Sequence, residues 1–430
     1  MGAFCDLTKE ELMRVYETEK NRLEQFRLQE LSINMARGRP CAEQLDLSDD
    51  LLDLNRDRLG IYSEDGMDCR NYGGLLGLSE VRRLFGEIMD FPAQNVIACG
   101  SSSLQLMFDY IAQCMTHGTG GFRPWYLNDN RKFIAIVPGY DRHFAIAEYF
   151  GLRMINVPMT AAGPDMDAVE ELVKDPDVKG MFCVPKYSNP DGITYSDETV
   201  ERLARLAPAA EDFRVIWDEA YIVHDLYEPG DVLKSIYAEA KKYGHQDHFV
   251  AFASTSKITF AGAGLAAIAA SDRNFREIEA RMTRQIISFD KVNQLRHAYL
   301  YKNLDDIKRQ MRRHAAILRP KFEAVRDILH EELDGTDIAD WTDPNGGYFI
   351  SFSVKTGSAR QVGRICKDCG LILTGVGATY PYGNDPFDAN IRIAPSCPTA
   401  EELKTAARIL CAATRLSAAA KLLGVTEAWK

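Results

Sequence analysis

The sequence predicts an α/β protein in which a large, mostly parallel sheet is layered by helices and a second, smaller α+β domain follows. Two observations carry this. Across residues 95–271 short apolar runs, FIAIVP (133–138), MINVPM (154–159), MFCVP (181–185), RVIWD (214–218) and FVAFAS (249–254), are separated by amphipathic segments of helix length. That alternation is the pattern of parallel strands joined by crossover helices. After a helical stretch over 272–333, strand–helix–strand patterning returns. The chain has 430 residues, enough for two or three domains at about 100–200 residues each.

Along the chain, Thr8-Lys9-Glu10-Glu11 reads as a capping box, and the run behind it places apolar residues at helical spacing, so a long, partly exposed first helix is expected. NVIAC is the first strand before Gly100-Ser101-Ser102-Ser103. Pro320 is expected to break or kink the long helical region. GGYFISFSV, GLILT and NIRIAP read as strands, ARQVGRICKDCG as a helix, and a final helix starts near 399. Residues 375–390 lack periodicity and suit a substrate-site loop.

Lys and Arg total 51 and Asp and Glu 62, a net charge of −11, which argues against a nucleic-acid or anionic-membrane partner. Ten cysteines are too sparse for a secreted disulfide framework, and the N-terminus lacks a signal-peptide pattern. Asp6 stands where a myristoylation signal needs Ser or Thr, and no apolar run approaches the ~18–20 residues of a membrane helix. A reducing, cytoplasmic compartment is expected.

Five segments carry chemistry. Lys257 lies just past an apolar strand, preceded by small hydroxyl residues (Ser254-Thr-Ser) and followed by Gly262 and Gly264. It reads either as a snorkelling surface lysine or as one whose pKa burial lowers, so that its neutral amine can form a Schiff base. Asp218-Glu219-Ala220-Tyr221 ends another strand, as a helix cap or as a functional carboxylate. Asn189-Pro190-Asp191-Gly192 is a good turn in its own right. Gly100-Ser101-Ser102 opens a helix, as an N-cap or as a phosphate cradle. Pro138-Gly139-Tyr140 follows a strand.

Taken in order, these motifs resemble the fold type I pyridoxal-phosphate enzymes, specifically class I aminotransferases, over residues 71–396. The resemblance implies a large domain with a sheet of the seven-stranded type and pyridoxal 5'-phosphate as cofactor. It implies that Lys257 forms the internal aldimine and carries the proton at the substrate Cα. Asp218 would pair with the pyridine nitrogen, Asn189 and Tyr221 would donate to the phenolate oxygen, and Tyr140 would stack on the ring. Gly100, Ser101, Ser102 and Ser254 would bind the phosphate. Tyr72, in Asn71-Tyr72-Gly73, would reach the phosphate across a homodimer interface. Arg392, in Asn390-Ile-Arg392-Ile-Ala-Pro, would hold the substrate α-carboxylate with Asn189 nearby, and Gly38 would touch the substrate. The implied division is an arm over 1–55 contributing to the small domain and substrate site, a cofactor domain over 56–305 and a small domain over 306–430.

One departure stands out. Where most of the family has Gly-Leu-Arg after the lysine, this chain has Gly264-Leu265-Ala266-Ala267, so the arginine that neutralises the phosphate is missing. Lys291 is the expected substitute. With Arg37-Gly38-Arg39-Pro40, the departure resembles a divergent bacterial aspartate aminotransferase subgroup, which implies transfer from aspartate to 2-oxoglutarate, with Arg37 and Arg39 as candidates for the distal carboxylate. A lyase or decarboxylase of the same fold, or an aminotransferase-like sensor domain, are the alternatives. Gly262-x-Gly264 follows Ser-Lys rather than a strand end and is not a dinucleotide loop. Cys366-x-x-Cys369 and His245-x-x-His248 lack partner ligands, so no metal is expected.

Overall fold

In a computed structural model, which describes residues 2–426 and 429, the strands run β1 (Ile33–Asn34), β2 (Val96–Ala98), β3 (Lys132–Val137), β4 (Arg153–Thr160), β5 (Gly163–Pro164), β6 (Val178–Cys183), β7 (Arg214–Asp218), β8 (Phe249–Ser254), β9 (Ala266–Ala270), β10 (Ala339–Trp341), β11 (Ile350–Val354), β12 (Leu371–Ile372) and β13 (Asn390–Ile393). Eight of them form one sheet in the order β2-β9-β8-β7-β6-β3-β4-β5. The pairs β3/β4, β3/β6, β6/β7 and β7/β8 are parallel; β9 runs antiparallel to both neighbours, and the two-residue β5 folds back on β4.

The sheet is buried on both faces, as its unbroken apolar strands require. Ile134, Ile136, Val215 and Trp217 pack in one core, while Phe133, Ala135, Val137 and Ile216 pack in another on the opposite face. Successive side chains alternate across the pleat. The parallel order also aligns strand ends: Asp218 pairs in register with Phe252, so the carboxyl ends of β7 and β8 lie side by side. This is the edge at which open α/β sheets collect ligands.

A third core joins the two ends of the chain. Phe4, Leu12 and Leu23 from the N-terminal segment pack with Leu318 and Val325, with Phe352 and Ile393, and with Leu403 and Leu410. The helix Lys9–Arg27 starts at the expected capping box, Thr8 with Glu11, and the helix Ala400–Leu423 starts at a second, Thr399 with Glu402. Beside them β10, β11 and β13 form an antiparallel sheet, in which Ser351 faces Arg392 in register. β1 pairs with β12, and Ala394 N–H donates to the Met35 carbonyl at 3.0 Å, which lays the segment before Gly38 along the small sheet.

Two expectations about elements change. The helix Leu304–Leu333 continues through Pro320. Proline costs one backbone donor there, but Leu318 and Phe322 on either side are buried in the third core, and that packing holds the turn. β9, the sequence Ala-Ala-Ile-Ala-Ala, is a strand that the reading of residues 264–267 as a missing-arginine motif did not identify.

Candidate active site

At the carboxyl ends of β7 and β8 lies a cavity of about 190 Å³. Its walls include Ser101, Ser102, Tyr140, Asn189, Asp218, Tyr221, Ser254 and Lys257. Segments separated by more than 150 residues of sequence therefore meet here, each delivered by a strand end or the helix that follows it.

Asp218 is the last residue of β7 and is buried. Its Oδ2 lies 3.0 Å from His143 Nε2, while Oδ1 has no hydrogen-bond partner. An ionised carboxylate requires His143 to carry its proton on Nε2. The His143 ring stacks on Phe182, with centroids 4.4 Å apart and planes at 10°, and meets Tyr140 edge-on at 4.9 Å. Burial, together with Asp218 and Asp141, pushes the Tyr140 hydroxyl up to about 12, so it stays protonated.

Lys257 sits three residues beyond β8. Burial pushes its ammonium pKa down, and the charge of Asp218 offsets part of that. Its Nζ lies over the Tyr221 ring at 5.0 Å and the Tyr348 ring at 6.0 Å, a cation–π cage in place of a salt bridge. Burial keeps the Tyr221 hydroxyl protonated well above its ordinary range. Edge-on to Tyr221, at 5.7 Å, His224 is held neutral by burial and by Lys257, with both ring nitrogens unpaired.

The opposite wall is hydroxyl-rich. Ser102 caps the helix Ser103–His117, accepting from Gln105 N–H at 3.2 Å, and Ser256 Oγ donates to the Ser101 carbonyl at 3.2 Å. Ser103 and Ser256 line the cavity with Ser101, Ser102 and Ser254, at a 15-residue helix's N-terminus. Hydroxyls, free amides and a helix dipole together suit a phosphate. Among the described residues lining this cavity Lys257 is the one cation.

Arg392 is buried on β13. Its Nη1 donates to Asn189 Oδ1 at 3.2 Å, and its guanidinium lies over the Phe349 ring at 4.9 Å. Gly38 backs that ring: a Cβ at residue 38 would stand 2.5 Å from Phe349 Cζ.

Other sequence candidates lie elsewhere. Lys291 is buried, but its Nζ donates to the carbonyls of Asn71 and Gly73, each at 2.7 Å, so the ammonium braces the turn that carries Tyr72 rather than entering the cavity. These two backbone carbonyls outcompete the cavity because a buried ammonium must satisfy its donors. Arg37 and Arg39 are exposed and line a separate depression with Ser32, Asn34 and Glu402. They flank Gly38, whose backbone packs against the Phe349 ring. Gly100 precedes the hydroxyl wall without lining the cavity, and Tyr72 is 77% exposed. Sequence reading missed His143; Ser103 and Ser256 stood inside the hydroxyl segments it singled out without being assigned to the phosphate. His143 stands three residues after Tyr140, one helical turn along the same face, and that spacing was the available signal.

A pyridoxal phosphate fits these residues. The unpaired Asp218 Oδ1, a lysine of depressed pKa and a serine-lined helix end face one space, and each matches a distinct part of the group.

The family model described as "Aspartate amino-transferase" matches residues 7–426. The chain is 42% identical over 402 residues to an aspartate aminotransferase of Corynebacterium glutamicum, covering 93% of each. Among solved structures it is similar to an aspartate transaminase from Corynebacterium glutamicum at TM-score 0.94, 42% identity, covering 96% of this chain and 98% of that one. The α-aminoadipate aminotransferase of Thermus thermophilus, complexed with N-(5'-phosphopyridoxyl)-L-leucine, shares the fold at TM-score 0.72 and 20% identity, over 92% and 95% of the two chains.

Proposed function

This chain belongs to the aspartate amino-transferase family, and from that premise we propose that it moves the amino group of L-aspartate to 2-oxoglutarate, reversibly, in two half-reactions, with pyridoxal 5'-phosphate in the cavity beside Lys257. It is an aminotransferase. When bound, the cofactor supplies an electrophilic carbon for the amino group and a ring that withdraws electrons from the substrate Cα.

The chain's own residues do the rest. Lys257, whose ammonium pKa burial lowers, is suited to be the nucleophile and then the base that moves a proton at the substrate Cα. Asp218, with Oδ2 held by His143 and Oδ1 unpaired, would accept from a protonated ring nitrogen of the cofactor. Asn189 and Tyr221, which line the cavity, would donate to the cofactor's phenolic oxygen, and Tyr140 would lie against its ring. Ser101, Ser102 and Ser254, joined by Ser103 and Ser256, take the phosphate. Arg392 takes the α-carboxylate, shielded from water by Phe349 and Gly38.

The observation that carries this reading is the pairing of a bare, buried Asp218 oxygen with a desolvated lysine around one cavity. The aspartate preference is supported by the 42% identity to the Corynebacterium glutamicum enzyme. Measured with 2-oxoglutarate, kcat/KM for aspartate is expected to exceed that for alanine by about a hundredfold. Equal values sink the aspartate assignment, and ammonia release without any 2-oxo acid sinks the transfer reaction.

The same proposal makes the protein a homodimer, because the exposed Tyr72 then has a second cavity to reach. Sedimentation at twice 48.3 kDa is expected, and a monomer that is fully active contradicts it. Its ten free thiols fit the cytoplasm, a location that cell fractionation tests.

A further inference from the structure

Arg392 already has an anion. Besides Asn189, its Nη1 donates to Asp141 Oδ1 at 2.9 Å, while its Nε has no partner. Asp141 is the first residue of the helix Asp141–Tyr149, immediately after Tyr140, and its side chain is 32% exposed. Its other oxygen, Oδ2, lies 4.0 Å from Nε of Arg142, whose side chain is 55% exposed. One carboxylate thus stands between a buried guanidinium and a solvated one.

Exchange between them needs only rotation about side-chain bonds, since Asp141 and Arg142 are neighbours at a helix start. The helix dipole favours the carboxylate in either position. A substrate carboxylate on Nη1 competes with Asp141 for one donor, and two carboxylates held that close repel. Without an anion Arg392 would be a buried, unpaired charge, which is costly.

We propose that Asp141 is a displaceable internal counter-ion of Arg392. Between substrates it occupies the place of the α-carboxylate, and an incoming carboxylate takes the arginine by sending Asp141 to Arg142. This rests on the reading of Arg392 as the carboxylate-binding residue. Two consequences follow from the exchange. Arg392 stays paired and correctly placed at every stage, and an amine that lacks a carboxylate leaves the pair closed. Apparent affinity is lowered by the fraction of molecules in which Asp141 holds the arginine.

The test is calorimetric binding of succinate, an unreactive dicarboxylate, to the cofactor-loaded enzyme. Asp141→Asn is expected to tighten binding about tenfold, the scale of one charge-assisted hydrogen bond. The gain should shrink only in part at high salt, because Arg392 is buried while Asp141 is partly exposed. Arg142→Ala is expected to weaken binding severalfold, because the displaced carboxylate loses its second partner. Asp141→Asn binding no tighter than wild type, or Arg142→Ala binding no weaker, overturns the proposal. Arg392→Ala binding succinate as wild type does would instead overturn the underlying reading of Arg392, a distinct result.

Discussion

Asp218 has two oxygens in different company, one on His143 and one bare, and that asymmetry defines its role. A buried carboxylate with an unused acceptor is costly unless a donor arrives. Asp218→Asn replaces the acceptor by an amide of the same shape, and kcat is expected to fall about 10²–10³-fold, as when one preorganised electrostatic contact is lost. His143→Gln should cost less, about tenfold, because it acts through Asp218. Steady-state kinetics on both variants check this, and an undiminished kcat in Asp218→Asn contradicts the assignment. Asp218 was legible in the sequence because it ends an apolar strand among ordered motifs. His143 offered only its helical spacing from Tyr140, which does not reveal the carboxylate 75 residues away that it bonds. Lys291 erred for a related reason: charge and neighbourhood can be read from sequence, but the carbonyls of Asn71 and Gly73 that capture its ammonium cannot.

Elements were legible where their periodicity was strong. β7 and β8 span RVIWD and FVAFAS as read, and the capping box at Thr8 starts its helix. β9 escaped because alanine has little strand preference, and its place between β2 and β8 comes from long-range pairing. The segment that pairs β1 with β12 is equally silent in sequence, yet it brings Gly38 against Phe349. Gly38→Ala forces a methyl into that ring at 2.5 Å, so Phe349 must move off Arg392. KM for aspartate is expected to rise about tenfold, with kcat less affected, and a KM equal to wild type contradicts the contact's role.

At the scale of the whole molecule, three cores and the two larger of three sheets divide the work: the eight-stranded sheet presents Lys257 and Asp218, and the three-stranded antiparallel sheet presents Arg392. We propose that residues 1–55 and 306–430 form one folding unit beside residues 56–305, supported by the shared core of Phe4, Leu23, Phe352 and Leu410. Hydrogen exchange should then open the helices Lys9–Arg27 and Ala400–Leu423 together. Opening of one while the other stays protected contradicts the unit. The net charge of −11 argued against some classes of partner but could not locate the buried Arg392 guanidinium or the desolvated Lys257 ammonium. The central claim is that Lys257 bonds to pyridoxal phosphate and yields it to aspartate. An absorbance spectrum tests this most directly. The account predicts a band near the visible edge that is absent in Lys257→Ala and bleached by aspartate; a band that survives the substitution, or that aspartate leaves untouched, would contradict it.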